Sequence, residues 1–160
     1  MKFRPTKFRV LTTCLIFLTA APAALADPQC KPVIAVERDA LVTEGCTSPI
    51  GFCAAGIVSG NHGLRGTTSY SAAAFDPIPS DTLGRLVVPG ILTYTTDDGS
   101  LTINDVSVFD VSRGTFAGAG RITGGTGRYA GATGDIFTFG RVQPDGVSFA
   151  NDVTGQICLP

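Results

Sequence analysis

Beyond residue 26, apolar and polar side chains alternate with a period of two over short runs, and each run ends in a cluster of glycine, proline, asparagine or aspartate. The runs Leu64 to Phe75, Leu86 to Thr96, Leu101 to Asp110, Thr115 to Ile122, Asp135 to Val142 and Val147 to Cys158 are rich in Thr, Val, Ile, Tyr and Phe. This content at a two-residue period predicts β-strands. Ile50 to Ser59 reads the same way, and Pro32 to Leu41 adds a short strand at the edge of the domain, which makes eight. The punctuation is regular: a loop over Thr43 to Pro49, then Gly60-Asn61-His62-Gly63, Asp76 to Gly84, Asp97-Asp98-Gly99, Ser112-Arg113-Gly114 and Pro144-Asp145-Gly146.

No segment of this region sustains a helical period, and its 20 glycines would interrupt most helices. The chain is therefore all-β. Short strands with hairpin-like connections fit a sandwich or a barrel, and closure into a barrel has the advantage of leaving no unpaired edge. The expectation is an eight-stranded antiparallel up-and-down β-barrel over residues 27–160. Pro89-Gly90, inside one of the runs, suggests a bulge or bend of the kind that closing a sheet requires.

The first 26 residues stand apart from this pattern. Lys2, Arg4, Lys7 and Arg9 precede an apolar run from Val10 to Ala20, and Ala24-Leu25-Ala26 has the small residues of a cleavage site. An export signal is expected, with the mature chain starting at Asp27; an uncleaved N-terminal anchor is the alternative, although the run is short for a bilayer span. Losing these four of the 12 basic residues while keeping all 13 acidic ones takes the formal charge from −1 to −5. That balance argues against nucleic acid or an anionic membrane as a partner. Four of the five cysteines remain, Cys30, Cys46, Cys53 and Cys158, an even set suited to two disulfides in an oxidising compartment. Three connectivities are possible, and a bond from Cys158 back to the early cysteines would join the two ends of a closed sheet. Zinc is disfavoured, since there is no Cys-x-x-Cys pair and His62 is the sole histidine.

The most unusual stretch is Ile122-Thr-Gly-Gly-Thr-Gly-Arg-Tyr-Ala-Gly-Ala-Thr-Gly134. It lacks the Gly-Lys-Ser/Thr ending of a phosphate loop, and a strand rather than a helix follows it, so nucleotide binding is not expected. The structural reading is a compact connection in which Gly124, Gly125, Gly127, Gly131 and Gly134 serve backbone geometry while Tyr129 folds its ring over the core.

The stretch also closely resembles the glycine motif of plant allene oxide cyclases, and it is similar to the Gly-Gly-Thr-Gly-x-Phe motif of dirigent proteins. Gly99-Ser100-Leu101-Thr102 resembles the start of the preceding strand in the cyclases. The resemblance implies an eight-stranded antiparallel barrel, often trimeric, that holds a small hydrophobic molecule and shapes its cyclisation or coupling without a metal or organic cofactor. It also implies a carboxylate on the first strand, a place for which Glu37 is the candidate.

Asp105 is the second candidate acid or base, because alternation puts it on one face with Leu101, Ile103, Ser107 and Phe109. Inside a barrel its pKa would rise and it could transfer protons, unless Arg121 or Tyr94 neutralises it; it could equally be a structural acceptor, or be exposed if the phase is reversed. Arg121 shares a face with the small residues Thr115, Ala117 and Ala119, which leaves room for it to fold inward or for a ligand, while the plainer reading is a solvated arginine. Tyr70 and Tyr94 are candidate cavity-lining residues with an apolar ring and a polar tip. His62 falls in a turn, where an exposed imidazole is the default. Glu37 with Asp39 forms a pair of carboxylates, but not one that spans a cleft as glycoside hydrolysis requires. Hydrolase and metalloprotease signatures are missing. Two functions follow: a secreted barrel steering the cyclisation or isomerisation of a small hydrophobic molecule, or a non-catalytic secreted carrier or structural barrel.

Overall fold

A computed structural model describes residues 29–79 and 81–160; the expected signal, residues 1–26, and the start at Asp27 lie outside these. The described strands are β1 (Gln29–Val42), β2 (Cys53–Gly60), β3 (Arg65–Ala72), β4 (Asp76–Pro77), β5 (Arg85–Thr96), β6 (Gly99–Asp110), β7 (Thr115–Gly125), β8 (Thr133–Val142) and β9 (Ser148–Leu159). A single 3-10 turn over Gly127–Tyr129 joins β7 to β8, and the described residues contain no α-helix.

Every long strand pairs antiparallel with its neighbours in sequence, and β1 pairs with β9 to close the ring, so the eight long strands form an up-and-down barrel. The two-residue β4 is an appendage on β5 within the connection expected at Asp76 to Gly84. Three details differ from the sequence reading. The first strand is 14 residues long and central, hydrogen-bonded to β2 on one side and β9 on the other. The charges at Glu37, Arg38 and Asp39 suggest an edge strand, yet only one phase of the strand faces water. The second strand begins at Cys53 rather than Ile50, because residues 43–52 are held as a loop by the Cys46–Cys53 disulfide. Pairing is regular across Pro89-Gly90, and the register shift falls instead on β6–β7, between Thr102 and Ile103.

Cys30 and Cys158 are direct cross-strand partners and are joined by a disulfide, so the covalent bond lies on the seam where the meander closes on itself. The bond spans 128 residues of chain, a loop long enough for a crosslink to restrict the unfolded ensemble strongly.

Inside, the two halves of the barrel are filled differently. Towards the end bearing the β7–β8 connection, Val33, Ala35, Val58, Leu64, Leu92, Tyr94, Leu101, Ile103, Ile122, Ile136, Val153 and Ile157 form a continuous apolar core. The glycine stretch closes that end. Tyr129 is 2% exposed, packs into this core and donates its hydroxyl to the Gly63 carbonyl at 3.3 Å. Gly127 has φ +57°, and a Cβ there would collide with the Asp98 carbonyl; a Cβ at Gly125 would strike the Tyr129 carbonyl. Gly124 has open space around it, and nothing in the structure requires glycine there.

Tyr129→Ala is expected to lower the unfolding free energy by about 3–5 kcal/mol, the range for emptying a buried aromatic site. Tyr129→Phe removes only the hydroxyl and is expected to cost about 1 kcal/mol. Urea denaturation followed by near-ultraviolet circular dichroism measures both.

Candidate active site

The other half of the barrel is hollow. A cavity of about 260 Å³ runs from its middle to the end bearing the β8–β9 turn, lined among others by Glu37, Asp39, Tyr70, Asp105, Thr138 and Asn151. Strand alternation builds it in two layers. Nearest the mouth are Leu41 of β1, Val88 of β5, Phe109 of β6, Phe116 of β7, Val142 of β8 and Phe149 of β9, joined by Phe52 and Phe75 from the connections. Deeper on β1, β6, β8 and β9 the inward side chains turn polar: Asp39 and then Glu37, Ser107 and then Asp105, Thr138 beyond Gly140, and Asn151. Below them the packed core begins.

Five phenylalanines form a continuous arc at the mouth. Phe75 meets Phe52, Phe52 meets Phe149, Phe149 meets Phe116 and Phe116 meets Phe109, all edge to face with ring centroids 5.1–6.3 Å apart. This is the favoured geometry for aromatic pairs.

Space in the polar layer comes from glycine. Gly90, Gly118 and Gly140 pair across the sheet with Asp105, Ser107 and Asn151 respectively, and Gly118 also pairs with Thr138. A Cβ on Gly118 would stand 2.6 Å from Thr138 Oγ1 and 2.9 Å from Asp105 Oδ1, and one on Gly90 would stand 2.6 Å from the Tyr70 hydroxyl. The Pro89-Gly90 pair therefore serves as a slot for the Tyr70 ring, and no bend is needed there.

Three carboxyl groups share the cavity. Glu37 is 2% exposed; the Tyr94 hydroxyl donates to its Oε1, and Asn151 Nδ2 donates to its Oε2 at 2.8 Å. The same Nδ2 reaches Asp39 Oδ2 at 3.1 Å, and Thr68 donates to Asp39 Oδ1. Asp105 accepts one hydrogen bond, from Ser107 Oγ at 2.7 Å. Burial pushes the Glu37 pKa up from 4.5 to about 7, the Asp39 charge adds to the rise, and the Tyr94 and Asn151 hydrogen bonds partly oppose it. Burial also raises Asp39, against the Thr68 hydrogen bond, and raises Asp105, against that from Ser107. Desolvation pushes the Tyr94 phenol well above its ordinary range, with the Glu37 charge reinforcing it, so Tyr94 remains a proton donor to Glu37. The Tyr70 phenol is raised too, first by burial and then by Asp105.

The candidates from the sequence are thus partly brought together. Glu37, Asp105 and Tyr70 line one cavity, and Tyr94 lies just beneath it, fully buried against Glu37. Arg121 is elsewhere. The face it shares with Thr115, Ala117 and Ala119 is the outside of the barrel, where its Nε is 3.4 Å from Asp135 Oδ1 and the side chain is largely exposed. It neutralises no cavity carboxylate. His62 is exposed in its turn. Sequence reasoning passed over Asn151, Thr68, Ser107, Thr138 and the phenylalanine arc as site residues, and treated Asp39 only as half of a pair. The available signal was phase: Glu37 and Asp39 continue the inward series of Val33 and Ala35, and Asn151 lies between Phe149 and Val153. Compared with protein-family models and with curated proteins, the chain matches none.

Glu37 binds its proton more tightly in the folded chain than in the unfolded one, so the stability it contributes is complete below pH 4.5 and is lost as pH rises through about 7. The stability of the native sequence relative to Glu37→Gln is expected to fall by about 3 kcal/mol from pH 4 to pH 8. Parallel urea titrations of the two proteins across that range test it; a constant difference would show that Glu37 titrates normally.

Proposed function

We propose that this protein is a secreted barrel of the allene oxide cyclase and dirigent type, which encloses a small hydrophobic molecule and steers its cyclisation or isomerisation by proton transfer. The observation that carries the proposal is Glu37, a carboxyl group that keeps its proton to about pH 7 while lining an apolar-mouthed cavity. A group poised near neutrality can both give and take a proton, which is what general acid–base chemistry requires. Glu37 would take a proton from one carbon of the guest and return it to another, while the phenylalanine arc holds the guest's body and excludes water. Tyr94 and Asn151 position the carboxyl. The two disulfides support the secreted part of the proposal, since such bonds persist in oxidising compartments.

A neutral fluorescent probe, N-phenyl-1-naphthylamine, tests occupancy. Saturable binding of one probe per barrel is expected, weakened at least tenfold by Ala54→Phe, which fills the cavity from β2. Absence of saturable binding to the native protein would remove the proposal. The chemical step is tested on the compound that co-purifies from the natural host, identified by mass spectrometry. Incubation in D2O with the native protein is expected to place deuterium in the compound, and Glu37→Gln to abolish this.

A non-catalytic carrier is the second reading. It is favoured by the hydrogen bonds that already occupy both oxygens of Glu37 and of Asp39, as in a structural network. Recovery of an unlabelled, unchanged compound would select it.

A homo-oligomer is also proposed, on the outer wall. Val106 and Val108 of β6, Ala117 and Ala119 of β7, and Phe137 and Phe139 of β8 are cross-strand neighbours and all exposed, with Phe139 at 56%. Together they make a contiguous apolar face of the kind that marks an association surface. Light scattering on the purified protein is expected to give a multiple of the chain mass, a trimer by the resemblance, and Phe139→Asp to shift it towards the monomer.

A further inference from the structure

The cavity has an excess of one kind of polarity. Its carboxyl groups are Glu37, Asp39 and Asp105, and among the described residues no lysine, arginine or histidine lines it. Arg38 lies on the opposite phase of β1 and donates to the backbone carbonyl of Glu37 at 2.6 Å. Apart from the Thr138 hydroxyl, the donors inside are already spent. Tyr94 donates to Glu37, Thr68 to Asp39, the Asn151 amide to Glu37 and Asp39, Ser107 to Asp105, and the Tyr70 hydroxyl to the Val88 carbonyl at 3.2 Å.

What remains open are acceptors. Asp105 has a partner on Oδ2 and none on Oδ1. Asn151 is 6% exposed, and its Oδ1 is buried without a hydrogen-bond partner. An orphaned buried acceptor costs about 1–3 kcal/mol, and turning the amide over would only set Oδ1 against the two carboxylates. Asn151 Oδ1 is sealed beside Gly140, so the open acceptor within a guest's reach is Asp105 Oδ1, and a guest that completes this layer must bring a donor and, once the carboxyl groups ionise, positive charge. A carboxylate or phosphate brings neither, and a hydroxyl brings one donor. An organic ammonium brings three donors and the charge, and its apolar body suits the phenylalanine arc, whose ring faces also attract cations.

We propose that the guest of this barrel is a small hydrophobic amine, bound as its ammonium form with the nitrogen among Glu37, Asp39 and Asp105 and the apolar body beneath the phenylalanine arc. The proposal rests on the reading that the cavity holds a small hydrophobic molecule, and it names the chemical class. The ammonium supplies the only positive charge in the layer.

Binding is coupled to proton release. Glu37 is faced by Asp39 on its own strand, Asp105 from β6, Tyr94 from β5 and Asn151 from β9, with Thr68 of β3 behind Asp39. The other inward neighbours, Gly56 and Val58 of β2, Gly118 and Gly120 of β7, and Thr138 of β8, carry no charge. An arriving ammonium therefore meets a carboxyl that is largely protonated at pH 6 and largely ionised at pH 8.

The test displaces N-phenyl-1-naphthylamine with three probes of one shape: 4-phenylbutylamine, 4-phenylbutan-1-ol and 4-phenylbutyrate. The amine is expected to bind at least tenfold more tightly than the alcohol at pH 8, and the carboxylate more weakly than either. From pH 6 to pH 8 the amine affinity is expected to rise about tenfold, following the ionised fraction of Glu37, while the alcohol affinity does not rise. Asp105→Asn, checked for folding by its melting curve, is expected to cut the ratio of amine to alcohol affinity at least tenfold. The pH series on the native protein serves if that variant does not fold. Equal or tighter binding of the alcohol or carboxylate, or an amine affinity flat with pH, overturns the amine assignment and leaves the hydrophobic-guest reading standing. Failure of the naphthylamine itself to bind removes both.

Discussion

Room inside an eight-stranded barrel is scarce: its interior is just wide enough for its own side chains or one small guest. Every other property of this protein depends on how that space is divided. In the lower half leucine, isoleucine, valine and two tyrosines consume it completely. In the upper half glycines stand opposite the inward polar residues on neighbouring strands, and the room they release is taken by Ser107, Thr138, Asn151 and the Tyr70 and Phe116 rings. The polar layer is thus seated on a pattern of missing side chains, distributed over several strands and aligned only when the barrel closes. Closure itself is secured at the β1–β9 seam by paired backbone and the Cys30–Cys158 bond.

Placing carboxyl groups in so confined a space has an electrostatic consequence. Burial raises the pKa of Glu37, Asp39 and Asp105 alike, and a cation of the chain, Arg38, acts against the rise only at Asp39. Tyr94, Thr68, Ser107 and the Asn151 amide offset part of this by donating hydrogen bonds, and they also fix where each carboxyl points. The resulting layer is rigidly held yet chemically incomplete. Buried polar networks are usually either fully satisfied or a site of function.

The fold was readable from the sequence because its signals are local. Two-residue alternation in β6, turn residues such as Asp97-Asp98-Gly99, and the punctuated spacing of the strands each report on a few neighbouring positions, and together they specify a meander. The first strand was misjudged as an edge for the same reason: Arg38 and Asp39 look alike as charges, although one faces water and the other the cavity. The site was only half legible. Asp105 could be placed by its phase, and Glu37 by likeness to the cyclases, but the Glu37–Asn151 contact joins residues 114 apart and depends on β1 meeting β9. Arg121 shows the limit of phase reasoning most clearly. Small neighbours on its face suggested an inward pocket, and they form the outer wall instead, because Gly118, Gly120 and Ile122 on the other phase are the residues that look inward.

The plug made by Tyr129 gives the barrel a direction of traffic. With that end sealed by packed side chains, the guest proposed above would have to enter and leave past the phenylalanine arc, polar end first. Entry and exit would then share the cost of desolvating that end before its first hydrogen-bonding partner is met, and a barrier of that kind slows exchange without adding to affinity, so that the barrel would act as a kinetic trap.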